Sequence, residues 1–506
     1  MTTMQTDSQD VLDRIKTAQS RPLGDPRFKN LIGLEKSTFA QSSNATSGLT
    51  FYDLELGAKF LYPVLTPLRN MIPRVSGKGG IQAAWRAITA INTTGLRFGV
   101  SSANRGGVLA VATQDYTATY KGIGVETSVD FEAQFAGQEF DDVRAIGAKT
   151  GLEALMIGEE AMILGGCSSG PLGATPTPSL VASTSGGTLA AQTWSVICTA
   201  LTLDALMNGS IAGGVQGQIT RTNADGSSDT FGGGVAKASA NATVPTTGPT
   251  GSISASVAPV RGALGYAWFW GAAGAETLGA ITTINSVVIS AAATGSQTAA
   301  SLGANDNSAN LLAFDGLIYQ AVKAGSGASV YTMPSGVAGV GSPLTADGSG
   351  GVMEIDTILK SMWDNYRLSP DTMWVSSQEA LNVSKKILAG SQTSAQRFVF
   401  ETAQDVVGGG IMVRTYLNRF SMQGGSVVDI KVHPNMPAGA ILFTTRALPY
   451  PLAGVGNLVQ IRTRQDYYQI EWPLRTRKYE YGVYADQVLQ NYFPPSMALI
   501  TNIGNG

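Results

Sequence analysis

The side chains able to do chemistry are few and poorly placed for it. The only histidine, His433, is followed by Pro434, and one imidazole does not supply the two or three that a zinc site ordinarily takes. The segment GCSSG at 166–170 has the G-x-S-x-G spacing that would make Ser168 a nucleophile. That chemistry requires a strand leading into the serine and a helix leading out, because the strained turn between them presents the hydroxyl beside backbone N–H donors. Here a helical segment comes before and Pro171 comes after. A hydrolase built on Ser168 and His433 would need those two side chains to be adjacent. Glu159 and Glu160 are neighbours on the same helical segment. Successive helical side chains diverge by about 100°, so the two cannot face each other as an acid/base pair, and a solvated helix face is expected. No complete G-x-G-x-x-G and no G-x-x-x-x-G-K-[ST] is present, so the glycines are read as turn and packing residues. We expect no catalytic centre, no metal and no cofactor.

A length of 506 residues suggests about three domains of roughly 150 residues each. Charged residues make up 14% of the chain against about 25% in an average soluble domain, and the formal net charge is -2. Bulk attraction to nucleic acid, which needs clustered Lys and Arg, is excluded. Cys167 and Cys198 are too few for a disulfide framework and are expected to be free thiols of a chain folded in a reducing cytoplasm. The segment MTTMQTDSQDVLDRIK lacks the apolar stretch of a signal peptide, and no run of about 18 apolar residues occurs. The expectation is a soluble, non-exported chain.

Charge is unevenly spread: 33 charged residues fall in 1–165, only 11 in 166–352 and 26 in 353–506. The middle third also holds 31 of the 61 glycines, so it reads as an inserted all-β module over about 180–312. Within it, GALGYAWFWG puts Leu264, Tyr266, Trp268 and Trp270 at period two, a bulky apolar row for the core of a sandwich. ETLGAITTINSVVISA reads as a second strand pair. Before the module, EFDDVRAIGAKTGLEALMIGEEAMILGG reads as one long helix, with Asp141 and Asp142 at its positive end and Gly165 and Gly166 at its stop. Gly147, Gly151 and Gly158 should weaken it. After the module come a helix carrying Ile355, Ile358, Leu359 and Met362, a turn at Pro370, a strand at Trp374 and Val375, and another helix. The last part, NLVQIRTRQDYYQIEW onward, alternates like long paired strands. The class is α+β.

The stretch RFGVSSANRGGVLA, residues 97–110, is small, polar and glycine-rich between two strand-forming runs. The incoming run is IQAAWRAITAIN. The outgoing one, VLAVATQDYTATYKGIGVETSVDF, puts Tyr116, Ala118 and Tyr120 on one face and Thr117 and Thr119 on the other. A ribbon with about 20 residues per arm would reach on the order of 65 Å and must project from a domain. An isolated hairpin is marginal in water, so another surface should order it, and a second copy of the chain is the expected one. Residues 1–50 mix Pro, Gly and polar residues without apolar period and read as an arm.

An arm, a projecting hairpin, a helix ending in GEEAMILGG, the segment SPDTMWVSS, then MPAGAILF, a long strand pair and PPSMALIT together resemble the major capsid proteins of tailed double-stranded-DNA bacteriophages. The resemblance covers most of 1–175 and 315–506 and implies the Hong Kong 97-like fold. It implies an N-terminal arm at 1–50, a peripheral domain at 51–77 and 131–175 with a spine helix at about 139–165, and an extended hairpin loop at 78–130. The inserted module at 180–312 would be a β-sandwich-like addition, followed by an axial domain at 313–445 and return strands of the peripheral domain at 446–506. It also implies a non-enzymatic virion protein, assembled in the host cytoplasm, that forms hexamers and pentamers of an icosahedral head around double-stranded DNA without reading its sequence. Partners would be the chain itself with scaffolding, portal and cement proteins, and no membrane. A β-rich polymerising tail-tube or surface protein is the alternative. The hairpin tip, Arg97, Ser101, Ser102, Asn104 and Arg105, is expected to touch a neighbouring subunit. Some relatives join hairpins covalently through a lysine, but no lysine occurs from Gly79 to Tyr120, and Lys78 and Lys121 sit at the base. A guanidinium stays protonated and cannot substitute as nucleophile, so non-covalent contacts are expected, with Arg97 and Arg105 pairing to acids.

Overall fold

The computed structural model describes residues 61–91, 102, 109–137, 142–223, 226–389, 412–422, 424–451, 453–474 and 477–505. By internal packing the chain divides into two units. Residues 1–61 with 135–142 lie almost wholly outside the described residues, while 62–134 with 143–506 hold the elements below. The arm expected at 1–50 is therefore outside the described residues, as are Arg97, Ser101, Asn104 and Arg105.

The architecture is α+β, as the sequence patterns require. One layer is a four-stranded sheet in the order Arg74–Ser76, Val459–Glu471, Lys478–Asn491, Lys121–Asp130, its first pair parallel and the others antiparallel. The long helix runs Val143–Gly165 and packs on this sheet. Two of the glycines expected to weaken that helix are where it meets the sheet. A Cβ on Gly147 would run into the Tyr481 hydroxyl, and one on Gly151 would sit 3.1 Å from Thr127 Oγ1. The Tyr481 hydroxyl instead donates to the carbonyl of Arg144 at 2.9 Å. Missing side chains one turn apart thus let the helix backbone close onto the strands, and Gly158 alone faces open space.

A six-stranded sheet runs Ser329–Thr332, Ala498–Thr501, Ile441–Thr444, Thr372–Val375, Ser426–Val432, Thr415–Asn418. It is flanked by helices Met353–Tyr366 and Ser377–Ala389. Ile355, Ile358, Leu359 and Met362, the predicted stripe, are buried with Met373, Val375, Ile441 and Phe443.

The middle segment forms two facing sheets. Three strands, Ser286–Ile289, Ser252–Ser256 and Ser179–Ser183, pack on four, Thr277–Thr282, Gly265–Gly271, Thr193–Leu201 and Ala242–Pro245. Tyr266, Trp268 and Trp270 point together into the space between the sheets, with Val196, Cys198, Ile253 and Ile289. Ala267 and Phe269 face the other way, onto Leu201, Val215, Leu278 and Leu302. Leu264, expected in the same row, belongs instead to the core beneath the long helix. The segment read as a second strand pair is divided: Thr277–Thr282 and Ser286–Ile289 lie in different sheets. The reason is Asn285 at the corner, fully buried, whose N–H donates to Asn502 Oδ1 at 2.9 Å while Asn502 Nδ2 donates back to Asn285 Oδ1 at 3.0 Å. This amide pair ties the module to the six-stranded sheet.

Candidate functional site

The hairpin pairs Gln82–Ile91 with Val111–Thr119 antiparallel, with a slip in register between Ile88 and Ala90. The outgoing run, read as a single arm, divides at Tyr120, which is buried; beyond it Lys121–Asp130 leaves the ribbon and joins the four-stranded sheet beside Lys478–Asn491. The ribbon is thus 82–119 among the described residues, shorter at its outgoing base than the expected 78–130. Its described arms of ten and nine residues span about 30 Å at roughly 3.3 Å per residue. One face rests on its own chain at the root: Trp85 stacks on Tyr116 at 5.8 Å and meets Tyr492 edge-on at 5.8 Å. The other face carries Arg86 paired to Asp115 and exposed threonines, and Ile88, Ile91, Leu109 and Val111 are exposed toward the tip. Ser102 is exposed. Lys121 Nζ donates to the carbonyl of Leu311 in the same chain and Lys78 is exposed at the root.

Beneath the root lies the main departure from the sequence reading. Glu159 and Glu160, expected on a solvated face, are both fully buried. Glu160 Oε1 accepts the backbone N–H of Leu68 at 2.8 Å and Oε2 that of Arg69 at 2.7 Å, at the start of the short helix Pro67–Met71. His433 Nε2 lies 2.6 Å from Glu160 Oε1. Since His433 Nδ1 accepts the N–H of Asn435 at 3.1 Å, the ring proton is on Nε2 and donates to the carboxylate. Glu159 takes Arg74 on one oxygen and the Tyr467 hydroxyl on the other, with Arg69 Nε at 3.3 Å. Arg74 reaches on to Asp466 at 2.6 Å and Gln487 at 2.7 Å and lies over the Tyr467 ring. Burial, with the Glu159 carboxylate beside it, pushes the Tyr467 phenol up to about 12. Burial works against the Arg74 charge, yet Asp466 and Glu159 hold its pKa above the ordinary value. The neighbouring acids do diverge, as helical geometry demands. Each diverging direction ends on a different segment: one on the strand Arg74–Ser76 that leads into the hairpin, the other on the turn after Val432. A helix, the hairpin root and the six-stranded sheet meet at this joint.

Ser168 and His433 have separate partners. Asp315 accepts the N–H groups of Ser168 and Ser169 at 2.8 and 3.0 Å, and both His433 nitrogens are engaged by Glu160 and Asn435. Cys167 and Cys198 are free and buried; burial pushes the first up to about 12 and the second well above its usual value. Among the described residues no group of three or more His, Cys, Asp and Glu is placed to hold a metal, and no helix is long and apolar enough to cross a membrane.

No family model and no curated protein matches the chain. Solved structures similar to it include the capsid of a native GTA particle, at 9% identity and TM-score 0.39, covering 90% of this chain and 96% of that one. The capsid of the cyanophage P-SCSP1u is similar at 9% identity and TM-score 0.38, covering 93% and 100%. The SrpI encapsulin of Synechococcus elongatus is similar at 8% identity and TM-score 0.37, covering 88% and 93%.

Proposed function

We propose that the chain is a shell-forming structural protein, the major capsid subunit of a tailed double-stranded-DNA bacteriophage with the Hong Kong 97-like fold. The observation that carries the reading is the hairpin 82–119. A ribbon of about 30 Å, anchored at its root by Trp85, Tyr116 and Tyr492, presents Ile88, Ile91, Leu109 and Val111 to solvent. Exposed apolar residues on a projecting two-stranded ribbon are covered when the ribbon lies on a neighbour, which also supplies the surface an isolated hairpin lacks. The buried charged joint under the root holds the ribbon to the long helix, so load from a neighbour passes into the body rather than into a loop.

In this reading the subunits form hexamers and pentamers of a closed head around DNA. The tip residues Arg97, Ser101, Ser102, Asn104 and Arg105 touch the adjacent subunit, and scaffolding, portal and cement proteins are the further partners. Assembly takes place in the host cytoplasm. The lattice is non-covalent, since no lysine occurs from Gly79 to Tyr120 and Lys121, at the base, is engaged within its own chain. The arm at 1–50 and the boundaries of the peripheral and axial domains at 131–175, 313–445 and 446–506 follow from the same reading. Expression of the full chain followed by electron microscopy tests it: closed shells are expected, whereas tubes, fibres or only monomers would overturn it. Dissolving shells in hot detergent with reductant should give one band near 52.6 kDa; a resistant ladder would show covalent joining.

A further inference from the structure

The module has a cleft of about 620 Å³ whose lining contains no charged residue. That volume lies within the roughly 300–1,000 Å³ of small-ligand sites. Its polar walls are Gln216, Gln218, Gln297, Ser301, Asn305 and Asn307. Ile219 adds half-buried apolar surface, while Val215 and Leu302, buried, belong to the core behind the four-stranded sheet and floor the cleft. One wall is fixed in advance. Gln297 Oε1 accepts the Val215 N–H at 2.8 Å and its Nε2 donates to the Val215 carbonyl at 2.7 Å, clamping the segment before the strand Gln218–Thr222. The other four carboxamides, on Gln216, Gln218, Asn305 and Asn307, make no side-chain hydrogen bond among the described residues. Asp306, between two of them in sequence, is absent from the lining. Its carboxylate accepts from Gly173 and Ser308.

Each primary amide offers two donors and an acceptor and carries no charge. Several free amides around a cleft suit a ligand rich in groups that both donate and accept, which are hydroxyls. An uncharged lining gives no compensation for burying an ion, so charged ligands are disfavoured. Apolar side chains beneath the amides suit the C–H face of a pyranose ring. We propose that this cleft binds a neutral saccharide. The assignment concerns the module's own surface and holds whether or not the chain forms shells.

The test uses the full-length protein on an array of neutral and acidic microbial oligosaccharides, followed by titration calorimetry with a retained neutral glycan. Retention of neutral glycans is expected. The double variant Gln218→Ala/Asn305→Ala, at two exposed positions, should weaken binding by about ten-fold, as expected for two hydrogen bonds lost. Gln216→Glu, which places a charge in the lining, should abolish it at an unchanged melting temperature. Arg221→Ala, on the adjoining hairpin but outside the lining, should bind as the unaltered protein does. Retention of no glycan, retention of charged glycans alone, or equal binding by the double variant would each overturn the proposal.

Discussion

The joint beneath the hairpin and the interior of the inserted module solve burial in opposite ways. The joint buries Glu159 and Glu160 completely and surrounds them with Arg74, Arg69, His433, Tyr467 and two backbone N–H groups. The module buries Trp268, Tyr266 and Trp270 among aliphatic side chains, and the two polar indole tips each find an acceptor, Thr282 Oγ1 for Trp268 and the Ala291 carbonyl for Trp270. Apolar packing stabilises in proportion to area and tolerates small shifts. A buried ion network adds little over a well-packed apolar core, but loses several kcal/mol when one member is removed. The module is therefore held by amount of contact and the joint by identity of contact. That suits a place where three segments must meet in one arrangement.

Replacing both acids, Glu159→Ala/Glu160→Ala, should give the largest effect. Arg74, the His433 N–H and two backbone donors lose their acceptors in the interior, costing about 5 kcal/mol, the upper end for a broken buried pair. Urea unfolding should show it; a loss below about 1 kcal/mol would mean that the joint is not buried as described. Next is Trp268→Ala, which removes the largest fully buried side chain of the sandwich and should cost about 3–5 kcal/mol. Limited proteolysis should then cut within 180–312 first, and cleavage beginning in 353–506 instead would erase the contrast between the regions. Gly147→Val drives a branched side chain against Tyr481 and should cost about 1–3 kcal/mol, whereas Gly158→Val, facing open space, should not. Equal losses would show that propensity, not close approach, governs those glycines.

The smallest effect concerns pH. Burial pushes Asp466 up, but Arg74 and the Tyr467 N–H outweigh it and hold the carboxyl below its ordinary value. A carboxyl with a depressed folded-state pKa contributes stability above its unfolded value of about 3.9 and loses it as the pH falls through the folded value. Asp466→Asn should therefore lower the melting temperature slightly at neutral pH, leave it nearly unchanged at the acid end, and so flatten the acid limb of the profile. A steeper acid limb in the variant would contradict the sign.

The sequence disclosed what local periodicity encodes. The alternation of Tyr266, Trp268 and Trp270 located a sandwich core, and the stripe Ile355, Ile358, Leu359 and Met362 located a buried helix face. Glu159 and Glu160 misled because a charge on a helix ordinarily faces water, and nothing local reveals that Arg74, His433 and Tyr467, 85, 273 and 308 residues away, converge on them. The outgoing hairpin run misled because strand propensity continues without interruption through Tyr120, while the change of partner there is set by Lys478–Asn491. The four amides of the cleft are scattered over 216–307 among many Asn and Gln, so only the fold gathers them.

The strand Ala498–Thr501 follows every other strand in sequence, yet it occupies an interior place in the six-stranded sheet, between Ser329–Thr332 and Ile441–Thr444. A ribosome that has not yet extruded residue 498 carries a sheet with a gap where Leu499 and Ile500 belong, both fully buried in the complete chain. Asn502, whose amide holds the corner at Asn285, is missing from that nascent chain too. Stalled or prematurely terminated translation products would thus present two unsealed strand edges, on Ser329–Thr332 and Ile441–Thr444. The six-stranded sheet closes only once residues 498–501 have been made.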